Sequence, residues 1–369
     1  MDQLISLRNA LTRRATTWAL VPLLALALAG CAAHYPQTTL LPRGDFAHLV
    51  DHLLRLTVQW ATVVFVLVEG ALIYAIWRFR AKPGAPEPKQ THGNTTVEIV
   101  WTMIPAVILA IIAVPTIRTI FVTAEKPTNA LEIEVIGHQW WWEFRYPSLN
   151  IVTADELHVP MGQTVSLEMT TGDVIHAFWV PQFAGKRDVF PRRHNNLWFK
   201  TEVTGNFSGQ CGEFCGIQHG RMGFRIISQT PEEFQQWVQA QQVGSPLVNG
   251  GAVADSDLVK SLVAAGVPAP GLDSVLARGK ATFMSGGCIG CHAMVGTPTA
   301  GLTSLLGPNL SHVGSRTTIV AGLLPNTDEN LSKWLHDPQA VKTGALMVLP
   351  KKLTDDEVAT LVTYLRAHR

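Results

Sequence analysis

Two long apolar segments constrain the fold of this 369-residue chain more than any other feature. They run from about residue 49 to residue 79 and from about residue 97 to residue 122. About 20 apolar residues are enough for one helix to cross a membrane. Charged residues make up only 15% of the chain, against about a quarter in ordinary globular domains. The segments therefore predict a two-helix transmembrane hairpin.

The loop between the two segments gives the hairpin its orientation. It carries Arg78, Arg80, Lys82 and Lys89, and loops rich in lysine and arginine stay on the cytoplasmic side of a membrane. We therefore expect everything after residue 123 to lie outside the cytoplasm. The formal net charge of the chain is only +1, so it gives no reason to expect a nucleic-acid partner.

Two carboxylates lie in or beside the predicted membrane helices. Glu69 falls inside the first helix, and Glu98 opens the second. A carboxylate in hydrocarbon costs several kcal/mol unless it faces protein or water, so we expect both helices to pack against a larger membrane partner. For Glu98, a role at the start of a proton path competes with an ordinary position at a helix start, where the macrodipole favours negative charge. We assign no role to Glu69.

The N-terminus predicts export. Three arginines within residues 8–14 precede an apolar run over residues 18–28, and small residues then lead to Cys31. This order is typical of a secretory signal peptide, and the apolar run is too short to span about 30 Å of hydrocarbon. We interpret residues 1–30 as a lipoprotein-type signal peptide, with Cys31 as the lipidated residue. The alternative is an uncleaved helix with an incidental cysteine.

Hydrophobic periodicity divides the rest of the chain. Short alternating segments such as 131–136 and 164–169, separated by glycine and proline, predict an all-β sandwich or barrel. A stretch rich in glycine, serine and proline then predicts a linker, and helical periodicity follows it. The predicted divisions are residues 31–123 for the N-terminal segment and hairpin, 124–242 for the β domain, 243–270 for the linker and 271–369 for an all-α domain.

Four residues near the middle of the chain form a set of soft metal ligands. Cys211, Cys215, His219 and Met222 form a C-x₃-C-x₃-H-x₂-M run, and thiolate, imidazole and thioether together suit copper. Two cysteines four apart could each bridge two copper ions, with one histidine for each ion. The second histidine must then come from elsewhere, and His176 on a predicted strand is a candidate. The alternatives are a disulfide, a zinc site and ordinary core packing of the histidine and methionine.

A second motif lies in the helical part. Cys288, Cys291 and His292 form a C-x-x-C-H motif, which attaches a c-type haem covalently. The two thiols form thioethers with the haem, and the histidine becomes an iron ligand. The chain has five cysteines, so Cys31, two copper ligands and two haem ligands leave none for a disulfide. One polypeptide is thus predicted to hold two redox centres.

Residues 45–240 resemble subunit II of the cytochrome c oxidases. The resemblance rests on the metal run, on Glu98–Ala106, on Gly137–Trp142 and on the segment from Lys186 to Arg192. It implies a cupredoxin fold for the β domain and a binuclear copper centre in that domain. The implied copper ligands are the side chains of His176, Cys211, Cys215, His219 and Met222 and the backbone carbonyl of Glu213.

The same resemblance implies further roles. Trp140 would be the residue at which electrons arrive from cytochrome c, and Glu98 would lie near a proton path into subunit I. Asp188 and the Glu213 side chain would bind magnesium together with a residue of subunit I. A solvated salt bridge is the alternative for Asp188.

The C-terminal part resembles cytochrome c, and its fusion to subunit II is a known variant of the family. Ligation by methionine and histidine raises the haem potential and suits electron transfer. For the sixth iron ligand we choose Met347, with Met284, Met294 and His312 as alternatives. Cytochromes of this type usually have proline before the glycine and after the methionine of this segment, where this chain has threonine and valine.

Together the resemblances imply the electron-accepting subunit of a bacterial oxidase, set in the inner (plasma) membrane with both redox domains on the periplasmic side. The haem c would take electrons from an external donor, such as a cytochrome c or the upstream respiratory complex. Its domain would swing or dock near Trp140 and pass them to the copper pair, and subunit I would reduce oxygen and pump protons. A flexible linker over residues 243–270 would span about 30 Å. It would keep the haem domain at a high effective concentration near the copper domain.

Other function classes compete with this interpretation. An independent membrane-tethered electron carrier would need no carboxylates such as Glu69 and Glu98 in its anchor. An enzyme of the nitrous-oxide-reductase type shares the copper loop, but it needs a second, histidine-rich copper cluster, and the 13 histidines of this sequence form no such pattern. A copper-transfer protein would lack the haem domain.

Overall fold

The computed structural model describes residues 36–243 and 255–369, apart from positions 82, 85, 88, 89, 91, 265, 267 and 269. The predicted signal peptide and Cys31 lie outside the described residues. Residues 244–254 of the predicted linker also lie outside them. The fold is therefore built from three described parts, namely a pair of long helices, a β domain and a C-terminal helical domain.

Two long helices precede the β domain, and most of their large apolar side chains are exposed. Helix α1 spans Asp45–Arg78 and helix α2 spans Thr95–Ala124. Both are long and apolar enough to cross a membrane. The side chain of Asn94 accepts a hydrogen bond from the Val97 amide and caps the start of α2. The predicted pair of membrane helices is confirmed, with bounds that differ by a few residues.

The first turn of α1 is fixed to the β domain. The Asp45 carboxylate accepts a hydrogen bond from the Lys200 amide at 2.8 Å. The Phe46 ring meets the Trp198 ring edge-on, with 5.6 Å between their centroids. Aromatic pairs favour this arrangement. The helix therefore leaves the β domain in a fixed direction.

The β domain consists of two five-stranded sheets with one apolar core between them. Its strands are β1 (Leu131–His138), β2 (Trp141–Tyr146), β3 (Ile151–Ala154), β4 (Glu156–Pro160), β5 (Thr164–Thr171), β6 (His176–Trp179), β7 (Arg187–Val189), β8 (Asn195–Lys200), β9 (Gly205–Cys211) and β10 (Gly223–Gln229). The strand orders are β3-β2-β1-β5-β8 and β4-β10-β9-β6-β7. Along β1, Ile133 and Val135 are buried while Glu132 and Glu134 are exposed, as period-two alternation requires. The predicted all-β sandwich is confirmed.

A short helix closes the β domain. Helix α3 spans Pro231–Gln242 and starts with a capping box, in which Thr230 and Glu233 each satisfy the other's backbone amide. Phe234 and Val238, four residues apart on one face, are buried in the core of the sandwich. The helix thus ends the β domain by covering part of its core.

The C-terminal domain packs its helices around a second apolar core. The helices Leu272–Ser285 and Asp355–Ala367 cross closely at Gly279, where a Cβ atom would lie 2.5 Å from the Thr360 carbonyl oxygen. Glycine alone allows this approach. The domain is helical, as predicted. Its elements are α4 (Asp255–Ala264), α5 (Leu272–Ser285), β11 (Thr318–Ile319), β12 (Leu324–Pro325), α6 (Asp328–His336), α7 (Pro338–Val341) and α8 (Asp355–Ala367).

The predicted linker over residues 243–270 is corrected by the structure, because it contains helix α4. Leu258 and Leu262 of this helix are buried in the core of the C-terminal domain. The linker prediction followed the glycine, serine and proline that flank the helix on both sides. A short amphipathic helix between such residues has a weak sequence pattern. Helix α4 therefore belongs to the C-terminal domain.

We expect Leu262→Ala to destabilise the C-terminal domain by about 2–5 kcal/mol, because a cavity replaces a buried side chain. Hydrogen exchange of the α8 amides in the full chain measures this loss. Val263→Ala on the same helix is the control, since Val263 is exposed. Equal effects of the two substitutions would contradict the assignment of α4 to this core.

Candidate metal and haem sites

Two strands of the second sheet hold the loop with the four soft ligands. Strand β9 ends at Cys211, and β10 begins directly after Met222. The strands pair antiparallel, and the Cys211 amide donates to the Met222 carbonyl at 3.0 Å. The loop between them brings Cys215 and His219 back to the strand ends. His176 reaches the same point from strand β6, which pairs with β9.

The six predicted copper-ligand atoms form two groups, one around each cysteine sulfur. The distances from the Cys211 sulfur are 3.8 Å to Cys215 Sγ, 3.8 Å to His176 Nδ1 and 3.2 Å to the carbonyl oxygen of Glu213. The distances from the Cys215 sulfur are 3.7 Å to His219 Nδ1 and 3.8 Å to Met222 Sδ. The structure thus brings all six atoms together.

The spacing of these atoms fits metal coordination. Around a tetrahedral ion with bonds of about 2.3 Å to sulfur, neighbouring ligand atoms lie about 3.7 Å apart. The sulfur–sulfur distance of 3.8 Å matches this value. It is far longer than a disulfide bond of about 2.05 Å, and both cysteines are free. The spacing therefore does not fit a disulfide and fits a group of side chains that could hold a metal ion.

Neighbouring groups control the protonation of the ligands. The hydrogen bond with Cys215 lowers the pKa of Cys211 well below its usual range, and the thiolate is the form that binds metal. Burial would lower the pKa of His176, but its hydrogen bonds to Asp173 and Cys211 raise it overall. Asp173 Oδ1 lies 2.8 Å from His176 Nε2, which leaves Nδ1 facing the sulfur. Carboxylates orient metal-bound histidines in this way.

Trp140 lies against the loop of residues 211–222, which carries the four soft ligands and is called the metal loop below. Its indole N–H donates to the Cys215 carbonyl at 3.0 Å, and the Gln139 side chain donates to the same oxygen at 2.7 Å. Trp142 is part of the β-domain core, and Trp141 stacks on a histidine ring. Trp140 is 9% exposed, because its remaining surface faces the C-terminal domain.

A cavity of about 500 Å³ lies between the C-terminal domain and the Trp140–Trp141 segment of the β domain. Its volume falls within the range of about 300–1,000 Å³ that is usual for cofactor pockets. Cys288, Cys291 and His292 line this cavity. The three residues of the C-x-x-C-H motif therefore face one space that can hold a haem.

His292 is held in an orientation suited to iron ligation. Its Nδ1 lies 2.9 Å from the carbonyl oxygen of Pro308, which leaves Nε2 available as a ligand. Burial lowers the pKa of His292 and so favours the neutral imidazole that ligation requires. Gly307 permits this packing, since a Cβ atom there would lie 2.5 Å from the His292 ring.

Met347 lines the same cavity, whereas none of the three alternative sixth ligands is among the described residues that line it. Met294 is buried in the helical core, and His312 is buried with its Nδ1 hydrogen-bonded to the last carbonyl of the chain. The Gln339 side chain donates to the Met347 carbonyl at 3.2 Å and steadies this segment. The geometry thus favours Met347.

The other predicted site residues do not join these clusters. Asp188 lies half-buried on β7, and the side chain of Glu213 is exposed. In the described part of the chain, the group of possible metal ligands consists of His176 and the two loop cysteines, without Asp188. The magnesium site therefore stays a prediction. Glu98 is exposed in the first turn of α2.

Three residues that support the sites are not among those predicted from the sequence. Asp173 stands three positions before His176, and Gln139 directly precedes Trp140, so a search for neighbours that orient a ligand would have found both. Lys342, whose ammonium donates to the Trp140 carbonyl at 3.2 Å, lies 202 positions from its partner. No local pattern indicates such a contact.

Comparison with known proteins gives a consistent result for each part of the chain. Residues 44–119 match the family model of the cytochrome c oxidase subunit II transmembrane domain, residues 148–229 match that of the subunit II periplasmic domain, and residues 276–369 match that of cytochrome c.

Three curated proteins named cytochrome c oxidase subunit 2 are similar to nearly the whole chain. The protein from Alkalihalophilus pseudofirmus is 34% identical over 351 residues, which cover 93% of this chain and 94% of that protein. The protein from Bacillus sp. strain PS3 is 33% identical and covers 94% of this chain, with 96% of its own length matched. The Bacillus subtilis protein is 32% identical, with 95% and 97% covered.

We expect Asp173→Asn to lower the affinity of the site for copper by about 10–100-fold, because an amide orients and polarises His176 less well than a carboxylate. Titration of the full chain against a copper chelator measures the affinity. Asp257→Asn is the matched control, since Asp257 forms only an exposed ion pair. An unchanged affinity in Asp173→Asn would contradict the orienting role.

We expect Gly307→Ala to disturb the haem site, because the new Cβ atom would lie 2.5 Å from the His292 ring and displace it. The absorption spectrum of the purified full chain should show a loss of low-spin haem. Gly301→Ala is the control, since nothing lies within 4 Å of a Cβ atom at that position. Identical spectra for the two variants would contradict the assignment of His292.

Proposed function

We propose an electron-transfer function for this chain, which belongs to the cytochrome c oxidase subunit II family in the form that carries a C-terminal cytochrome c domain. It is thus a subunit of a haem–copper oxidase, with a copper-binding domain and a haem-binding domain. In our proposal, the cytochrome c domain would hold a covalent haem c and take electrons from an external donor. The β domain would hold a binuclear copper centre and pass the electrons on to subunit I, where oxygen would be reduced and protons pumped.

One observation carries this proposal, namely that Trp140 lies against both candidate redox sites. It lines the cavity that holds Cys288, Cys291 and His292, and its indole N–H is 3.0 Å from the carbonyl oxygen of Cys215. Haem iron and a copper pair, when bound, each take up and release one electron at a time. Trp140 supplies a direct packed connection between the two.

The residues of the chain have distinct parts in this function. Cys211 and Cys215 would hold the copper pair together with His176 and His219. Met222 and the Glu213 carbonyl would supply the remaining donor atoms. The cysteines and the methionine are buried, which keeps water away from their sulfur atoms. A dry, fixed environment helps to set the potential of a metal site.

The membrane helices provide the contact with the rest of the oxidase. Their exposed apolar surface fits both lipid and the helices of subunit I. We propose that Glu98 lies at the start of a proton path into subunit I and that Asp188 and Glu213 bind magnesium together with that subunit. Lipidation of Cys31 would add a further anchor on the periplasmic side.

We expect Cys215→Ser to abolish the paramagnetic copper signal of the full chain and to leave the haem absorption band intact, because only the metal loop loses a bridging sulfur. Electron paramagnetic resonance and optical spectra of the purified chain measure the two. Elemental analysis of the unaltered chain should find a pair of copper ions for each iron. Zinc in place of copper, or a copper signal that survives the substitution, would overturn the ligand assignment.

A further inference from the structure

We propose that the cytochrome c domain is docked permanently on the β domain through a buried polar interface centred on Glu156 and Lys342. This docking closes Trp140 to soluble electron donors, so that a donor protein must bind the surface of the cytochrome c domain. The role of Trp140 in electron entry rests on the proposed function. The interface itself is a property of the polypeptide.

Glu156 anchors one side of the interface. It lies on β4 and is only 1% exposed. Its Oε1 accepts hydrogen bonds from the amide and hydroxyl of Thr317 at 2.8 and 2.5 Å, and from the same groups of Thr318 at 2.8 and 3.1 Å. A buried carboxylate is costly unless such bonds replace its water. A domain that left and returned in each turnover would repeat this dehydration every time.

Lys342 anchors the other side. It is 4% exposed, and its Nζ donates to the Trp140 carbonyl at 3.2 Å. The β domain offers a second buried carboxylate, Asp155, whose pKa burial raises to about 6, while the nearby half-buried Arg316 and the buried Lys342 of the cytochrome c domain lower it. Positive groups of one domain therefore face negative groups of the other in a region with little water. Buried charges need such partners.

The hairpin of β11 and β12 inserts between these anchors. Ala321 at its tip packs with Trp141 and Ala154 of the β domain. The Ala321 carbonyl accepts a hydrogen bond from the Gly223 amide at 3.1 Å. Val320 and Ala321 have φ angles of 58° and 59°, and residues with a side chain keep such a backbone only where the surroundings hold it. The contact with the β domain therefore holds the tip of the hairpin in this backbone conformation.

Further contacts extend the interface to three segments of the cytochrome c domain. Transient electron-transfer contacts are usually small and wet, whereas this interface buries carboxylates that have partners. The additional hydrogen bonds run from the Ser304 hydroxyl to Glu143 at 2.8 Å, from Arg221 to the Val341 carbonyl at 3.3 Å and from the Gln218 side chain to the Thr343 carbonyl. These features are those of a lasting contact.

The consequence for function concerns Trp140. Its indole faces the cavity on one side and the metal loop on the other. A soluble donor cannot reach it without displacing the cytochrome c domain. The donor must therefore reduce that domain first. One electron then moves from ferrous iron in the cytochrome c domain to the copper pair of the β domain, which leaves ferric iron and requires no bond to form or break.

Hydrogen exchange in the full chain, purified within the oxidase complex, tests the docking without measuring activity. The Gly223 amide does not touch Glu156, and it should exchange about tenfold faster or more in Glu156→Ala if the docked state opens as one unit. The amides of Thr317 and Thr318 should follow. Glu329→Ala is the control, because Glu329 forms only an exposed ion pair. Rapid exchange of these amides in the unaltered complex would overturn the proposal.

Electron transfer between the two domains gives a second test, after rapid photoreduction of the haem. A fixed interface predicts a rate that does not change when glycerol raises the viscosity, whereas a swinging domain predicts a rate that falls. The double variant Glu156→Ala and Lys342→Ala should become viscosity-dependent. A viscosity-dependent rate in the unaltered complex overturns the docking alone. A missing copper signal overturns the proposed function instead.

Discussion

The pairing of β9 with β10 is the constraint on which the metal site depends. Cys211 ends one strand and Met222 precedes the other, and the hydrogen bond between their backbones fixes both ends of the ligand loop. His176 is placed by the pairing of β6 with β9 in the same way. Because ordinary sheet hydrogen bonds set these positions, the sulfur and nitrogen atoms already lie at the separation that metal ions require. The chemistry of the loop is thus built on the most rigid part of the domain.

Much of this arrangement follows from local features of the sequence. The membrane helices could be predicted because apolar length has one dominant cause, the thickness of the bilayer. The sandwich could be predicted because strands such as β1 alternate with a period of two. Candidate copper and haem ligands could be named because thiolate, imidazole and thioether are rare donors and stand at fixed spacings. The second histidine, His176, is only a candidate from its place on a predicted strand, and the resemblance to a family makes it a ligand, since nothing in the run itself identifies it.

Other features could not be predicted, since they depend on which surfaces meet. Helix α4 is short and flanked by glycine and proline, so its two buried leucines did not stand out. Glu156 and Thr317 lie 161 positions apart, and a glutamate on a strand resembles any solvated residue until another domain covers it. The interface between the cytochrome c domain and the β domain is therefore visible only in three dimensions. In our proposal, this interface makes the two domains a single redox unit.

The start of helix α1 has a consequence for how this unit stands on the membrane. Asp45 is already bonded to the end of β8 when the helix begins, and Phe46 is packed against the same strand. Helix α1 thus starts at the sandwich itself, without a loop between the β domain and the helix that enters the lipid. The height of the metal loop above the bilayer surface is therefore set by the length of α1 that lies between Asp45 and the lipid. A neighbouring subunit would always meet this loop at the same depth.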